Sequence, residues 1–205
     1  MGIGSHELEI KLVRGPDRLE LDLLPLQGLW TEQQYLKLTD QTNHLVEFTD
    51  GSIEILPMPT RDHQLMLLML YELLKAFLQP RGGTALVAPL RVQIHPGKYR
   101  EPDVLAMLDV ADPRNQNAYW LGADIVMEIV SPDDPERDTV EKVVDYAQAG
   151  IPEYWIVNPI DQTITVLALH NDRYAQHGIF RNGETATSVL LDSFEVHVDA
   201  VFNIK

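Results

Sequence analysis

The sequence has 205 residues, 45% of them hydrophobic and 23% charged, a globular composition long enough to bury a substantial core. With no cysteine, disulfides, thiolate nucleophiles and Cys-ligated zinc or iron–sulfur centres are excluded. A formal charge of −15 argues against tight nonspecific binding of nucleic acid over the whole surface, although it leaves room for a local basic groove and for a carboxylate metal site.

Residues 1–27 read as an N-terminal arm whose degree of order the sequence leaves open, and 28–205 as one domain. The first residues lack the basic-then-apolar pattern of a secretory signal, and a cytoplasmic location is the simplest expectation. In the arm, Leu19, Leu21 and Leu23 alternate with Glu20 and Asp22, the period of a short strand. Thr31 with Gln34 forms a capping-box pattern that opens a helix running to about Asp40. Two β-rich runs, 45–49 and 52–56, flank Asp50-Gly51, a strong hairpin signal.

Residues 61–79 are the clearest helix, and apolar side chains cover almost its whole circumference. Such a helix is expected to be buried on more than one side, by a sheet and by a second copy of the chain, so a homodimer is expected. The longest apolar run, Leu65 to Tyr71, is too short to span a bilayer, and no membrane association is expected. Strands follow at roughly 84–95, 101–108 and 124–130, then a helix at about 136–149 ended by Gly150 and Pro152. The apolar strand Tyr154-Trp155-Ile156-Val157 comes next, and runs at 162–169 and 173–178 read as a closing hairpin. This order implies an α/β (α+β) fold with a mixed sheet flanked by helices.

Two carboxylates stand where strands usually reject them. Glu128 interrupts the run Ile125-Val126-Met127-Glu128-Ile129-Val130, and Asp103 sits at the mouth of the apolar strand that begins at Val104. A buried carboxylate is costly unless it is paired or binds a metal. A salt-bridged core glutamate, and ordinary turn chemistry for an aspartate after Pro102, are the competing structural explanations. Neighbouring strands lie about 4.8 Å apart, so carboxylates on adjacent strands can share one cation. An all-oxygen site of this type suits Mg²⁺ or Mn²⁺. On the following helix Asp138, Lys142 and Tyr146 share one face, which either points at such a site or carries an exposed Asp138–Lys142 pair. A glycosidase using Asp103 and Glu128 is a further reading, but no cluster of exposed aromatics favours it. The scattered histidines make a zinc hydrolase weaker still.

Arg100-Glu101-Pro102-Asp103-Val104-Leu105, then Glu128-Ile129-Val130-Ser131-Pro132, then Arg137-Asp138, Glu141-Lys142, Tyr146, Gly150 and Glu153-Tyr154-Trp155 resemble three motifs of one family. It is the Uma-two family of putative restriction endonucleases, a branch of the PD-(D/E)XK nuclease superfamily. The hairpin with Glu47 and Asp50-Gly51, and then Pro57, Pro59 and His63, resemble the family's N-terminal pattern, so the resemblance covers about residues 30–202. It implies a restriction-endonuclease-like core and a metal-dependent endonuclease that hydrolyses DNA phosphodiesters. Asp103 and Glu128 would hold Mg²⁺ with the Ile129 carbonyl, Lys142 would serve catalysis, and Glu47 would reach the metal through water. The superfamily's lysine two residues after the glutamate is missing, because Val130 stands there. Arg61, His63, Arg100 and Tyr146 are candidate substrate contacts, with Tyr146 also able to support Lys142. Trp120, Tyr154 and Trp155 are expected in the core or an interface rather than as stacking platforms. The alternative function is a nuclease-fold interaction or nucleic-acid-binding module without activity.

Overall fold

The computed structural model describes residues 9–14, 17–22 and 24–203, and the chain divides into two compact units, 1–58 and 59–205. In the first unit strands β1 (Glu9–Arg14) and β2 (Asp17–Asp22) pair antiparallel, so the expected strand around Leu19 and Leu21 forms. Leu23 and the first eight residues of the arm lie outside the described residues.

Helix α1 (Glu32–Thr39) starts where the sequence places it. The Thr31 hydroxyl accepts from the Gln34 N–H, and the Gln34 side chain accepts from the Thr31 N–H at 2.9 Å. Two of the four orphan donors of a helix start are thereby satisfied. Strands β3 (Val46–Thr49) and β4 (Ser52–Ile55) pair antiparallel across Asp50-Gly51, whose φ angles are +45° and +88°. Both are left-handed, as the tight hairpin turn requires. A Cβ on Gly51 would also lie 2.6 Å from the Gly28 carbonyl oxygen, so that position tolerates no side chain.

The second unit is built on a six-stranded sheet in the order β12-β11-β10-β9-β8-β5. Strands β5 (Thr84–Val87), β8 (Val104–Met107) and β9 (Ile125–Ile129) form an antiparallel series. A helical segment then crosses over to β10 (Glu153–Asn158), which runs parallel to β9. Strands β11 (Thr163–His170) and β12 (Arg173–Phe180) continue antiparallel as the expected closing hairpin. The expected strand over 84–95 is broken at 88–91, and its second half pairs as β6 (Val92–His95) with β7 (Lys98–Arg100). The C-terminal segment adds β13 (Thr185–Thr187), β14 (Glu195–His197) and the short helix α4 (Val198–Phe202).

Every residue of β8 and β9 is buried, so both faces of the sheet centre are covered. Val104, Ala106, Ile125, Met127 and Ile129 join one core with helix α2 (Arg61–Leu78). Leu105, Met107, Val126 and Val130 join a second core with Tyr146, Tyr154 and Trp120. Trp120, Tyr154 and Trp155 are core residues, as expected. Alternation by two gives Glu128 the pleat of Val126 and Val130, toward the second core. Much of α2 is covered within its own unit: Met66, Leu70, Leu74 and Leu78 are buried, and Leu67, Tyr71, Leu73 and Phe77 pack against the same core. Leu68 is its exposed large apolar side chain. No helix among the described residues is long and apolar enough to cross a membrane.

Glu153 locks the C-terminal segment to the sheet. Its carboxylate is fully buried and accepts from Trp155 Nε1 at 2.7 Å, Ser188 Oγ at 2.7 Å, and the N–H groups of Val189 and Leu190 at 2.6 and 2.8 Å. Truncation to alanine leaves these donors without an acceptor, and each unmet buried donor costs about 1–3 kcal/mol. Glu153→Ala is therefore expected to lose about 3 kcal/mol of stability or more, a fall in Tm on the order of 10 °C, read by thermal melting. A melting temperature within a degree or so of wild type would refute the lock.

Candidate active site

The antiparallel register pairs Val104 with Met127, so the next step outward sets Asp103 opposite Glu128. The two segments grip each other through these carboxylates. The Ile129 N–H donates to Asp103 Oδ2 at 2.8 Å, and the Asp103 N–H lies 3.3 Å from Glu128 Oε2. The cross-strand pair expected from the sequence is therefore formed.

The third element is the crossover segment. A π-helical turn, Arg137–Glu141, runs into helix α3 (Lys142–Gln148). Such turns are rare, and they are found mostly where a helix must aim particular side chains. Here Asp138 and Lys142 fall on one face, with Lys142 Nζ 2.8 Å from Asp138 Oδ1 and 2.9 Å from Glu128 Oε1. The Tyr154 hydroxyl fixes the turn by donating to the Asp138 carbonyl at 2.7 Å. Tyr146, one turn beyond Lys142, donates its hydroxyl to Glu128 Oε1. Glu128, Asp138 and Lys142 are all buried. The alternative of an exposed Asp138–Lys142 surface pair is thus not what the chain forms.

His63 reaches the cluster from the first turn of α2, with Nε2 3.2 Å from Asp103 Oδ2. Thr60 caps this helix by accepting the His63 N–H at 3.2 Å. Arg61, its neighbour, is exposed and pairs with Asp62 at 2.9 Å. Arg100 is buried: its Nε and an Nη donate to Asp145 Oδ2 at 2.8 and 2.6 Å, and Lys98 pairs with the other oxygen. Arg100 thus acts as a brace between β7 and α3, an inward task that the sequence reading, which set it against phosphate, did not foresee. Glu47 belongs to the first unit, where it is buried in β3 rather than presented on an outward face.

The electrostatics follow from burial. Desolvation pushes the Glu128 carboxyl up to about 8. The Lys142 ammonium and the Tyr146 hydroxyl oppose that rise, while the charges of Asp103 and Asp138 add to it. At His63 burial works against the charged imidazole. The hydrogen bond and charge of Asp103, with Glu128 and Asp138 behind, outweigh it and leave the pKa above the ordinary value. Both shifts share one origin: the acids Asp103, Glu128 and Asp138 crowd one site, which favours the proton on Glu128 and on His63.

No group of three His, Cys, Asp or Glu side chains suited to a metal ion occurs among the described residues. A hard divalent cation asks for less, because it keeps several waters and takes one or two carboxylates. The hydrogen bonds leave room for this. Asp103 engages the protein through Oδ2 and has no hydrogen bond on Oδ1 among the described residues. Glu128 engages Lys142 and Tyr146 through Oε1, and among the described residues its Oε2 takes only the long 3.3 Å contact. Each carboxylate thus holds one oxygen in reserve beside the Ile129 peptide, a donor set that fits Mg²⁺ or Mn²⁺.

Residues 32–199 match the family model Uma2, described as "Putative restriction endonuclease". Among solved structures the chain is similar to a protein described as a putative nuclease belonging to DUF820 from Anabaena variabilis ATCC 29413. The TM-score is 0.61 at 19% identity, over 82% of this chain and 97% of that one. At this identity the likeness speaks to the fold, which is restriction-endonuclease-like as the sequence implied. No curated protein matches.

The raised Glu128 pKa makes stability depend on pH. Below about 4.5 the carboxyl is protonated whether folded or unfolded. As pH rises toward 8 the unfolded chain releases this proton and the folded one retains it, so stability falls across that window and the loss is complete above it. Glu128→Gln, which mimics the neutral acid, should therefore melt several degrees higher than wild type at pH 8–9 in EDTA. The gain should vanish near pH 4.5. Scanning fluorimetry across pH checks this, and a gain independent of pH would remove burial of the charge as its cause.

Proposed function

The chain belongs to the Uma2 family, described as putative restriction endonucleases, and on that premise we propose that it is a metal-dependent endonuclease acting on DNA phosphodiesters. The observation that carries this reading is the position of Lys142 Nζ, 2.9 Å from Glu128 Oε1 and at the same sheet end as Asp103. The reserve oxygens of Asp103 and Glu128, with the Ile129 carbonyl, would hold Mg²⁺ or Mn²⁺. Such an ion, when bound, lowers the pKa of water and neutralises charge on phosphoryl oxygens.

The chain's own groups do the rest. Lys142 is the cation nearest the carboxylate pair, so it orients the attacking water or donates to a phosphoryl oxygen as charge develops there. Asp138 holds its ammonium from one side. Tyr146 occupies the same oxygen of Glu128 as Lys142 and thereby fixes the carboxylate plane. Arg61, exposed at the helix start beside His63, is the candidate contact to the DNA backbone.

The net charge of −15 favours a second reading, a nuclease-fold binding module without turnover. One experiment separates the two. Wild type, the Asp103→Ala/Glu128→Ala double variant and Lys142→Met, which keeps the apolar stem, are incubated with plasmid and single-stranded DNA in Mg²⁺, Mn²⁺ or EDTA. The proposal expects cleavage by wild type only with metal, none by the double variant, and a loss of about 100-fold or more in Lys142→Met. Metal binding without cleavage would favour the binding module. Equal cleavage by wild type and the double variant would sink the site.

A further inference from the structure

We infer that His63 is a positioning residue of the metal site, whose Nε2–H holds Asp103 so that its second carboxylate oxygen faces the cation. The inference rests on the metal-dependent reading above and names the residue that prepares one of its ligands.

Three observations carry it. First, Asp103 Oδ2 is approached from two elements: it accepts the Ile129 N–H at 2.8 Å and makes an ion-pair contact with His63 Nε2 at 3.2 Å. Two contacts to one oxygen fix the carboxylate plane, whereas a single contact leaves it free to turn. The oxygen left over is Oδ1.

Second, the imidazole has no other polar engagement. Its Nδ1 is buried and meets no hydrogen-bond partner among the described residues. Buried polar atoms without a partner are uncommon in native proteins, and each calls for an explanation. A histidine placed for packing alone would sit more comfortably as an apolar residue. What this ring gains at this place is the contact to Asp103.

Third, the donor is delivered by a rigid element. His63 occupies the first turn of the 18-residue helix α2, its N–H capped by Thr60, and Met66, one turn on, is anchored in the core. Groups that hydrogen-bond a metal-ligating carboxylate orient it, and their removal typically costs about 10- to 100-fold in metal affinity. Tyr146 gives Glu128 the same support on the opposite side. Each metal-facing carboxylate then has one oxygen tied by a neutral or cationic donor and one left for the ion.

The test measures Mn²⁺ binding by calorimetry on the full chain without DNA, so that it does not depend on turnover. His63→Phe keeps a ring of similar size and lacks the donor, while His63→Gln restores an N–H near the position of Nε2. Circular dichroism and melting confirm that each variant is folded. The expected result is Mn²⁺ affinity lowered about 10- to 100-fold in His63→Phe and within about threefold of wild type in His63→Gln. Folded His63→Phe that binds Mn²⁺ as wild type does overturns the inference and leaves the metal site standing. If wild type itself binds no Mn²⁺, the metal-dependent reading fails and the inference falls with it. Binding that follows the expected pattern in a protein that cuts no DNA upholds the role of His63 and removes only the nuclease activity.

Discussion

Much of the second unit answers to one constraint: a carboxylate, Glu128, buried in the middle of a central strand. A charge there is tolerated only with a partner, and Lys142 is that partner at 2.9 Å. A lysine ammonium is itself costly to bury, so a second acid, Asp138, is brought to its other side. That acid in turn must be held, and the π-helical turn with the Tyr154 hydroxyl holds it. The chain of requirements ends with the Glu128 carboxyl raised to about 8, burial and the acids Asp103 and Asp138 outweighing Lys142. An arrangement built only for stability would have replaced the whole cluster with apolar side chains, which pack as well without the desolvation cost. Three acids kept together at that cost are the physical reason to look for a cation, which would favour their ionised forms.

A second buried ion cluster sets the geometry of the first. Asp145 lies between Tyr146 and the turn that bears Lys142, and it is gripped by Arg100 and Lys98 of β7. From Arg100 the chain continues through Glu101 and Pro102 directly to Asp103. The ion cluster therefore ties the strand that delivers Asp103 to the helix that delivers Lys142 and Tyr146. The guanidinium makes two hydrogen bonds to one carboxylate oxygen, a directional contact that a lysine could not copy. Arg100, Lys98 and Asp145 thus brace positions within the site.

How much of this was legible in the sequence follows from the range of each signal. The capping box at Thr31, the Asp50-Gly51 hairpin and the apolar helix from 61 are local patterns, and all formed. Glu128 was conspicuous because five apolar residues surround it. Strands β13 and β14 escaped because three residues carry no readable period, and the break at 88–91 was hidden inside a run of β-formers. Asp138 and Lys142 showed the right spacing, but the same spacing marks an ordinary surface pair. Only the burial conferred by tertiary packing separates the two. Arg100 looked like a cation awaiting phosphate because its partner lies 45 positions away. The contact between His63 and Asp103 is long-range in the same sense, and no local pattern announces it.

The lysine itself shows how the chemistry and the fold accommodate one another. The resemblance read from the sequence implies a lysine two residues after the glutamate, on the same face of the same strand. Here that position is Val130, fully buried in the core formed with Trp120, Tyr146 and Tyr154. An ammonium at Val130 would have to be desolvated among aromatic and aliphatic side chains. From α3, Lys142 brings its ammonium to the carboxylates of Glu128 and Asp138. Val130 packs in that core, and the buried ionisable groups on this face gather at Glu128, Asp138 and Lys142. The crossover segment opens with a π-helical turn, Arg137–Glu141, and Lys142 pairs with Asp138 from just beyond it.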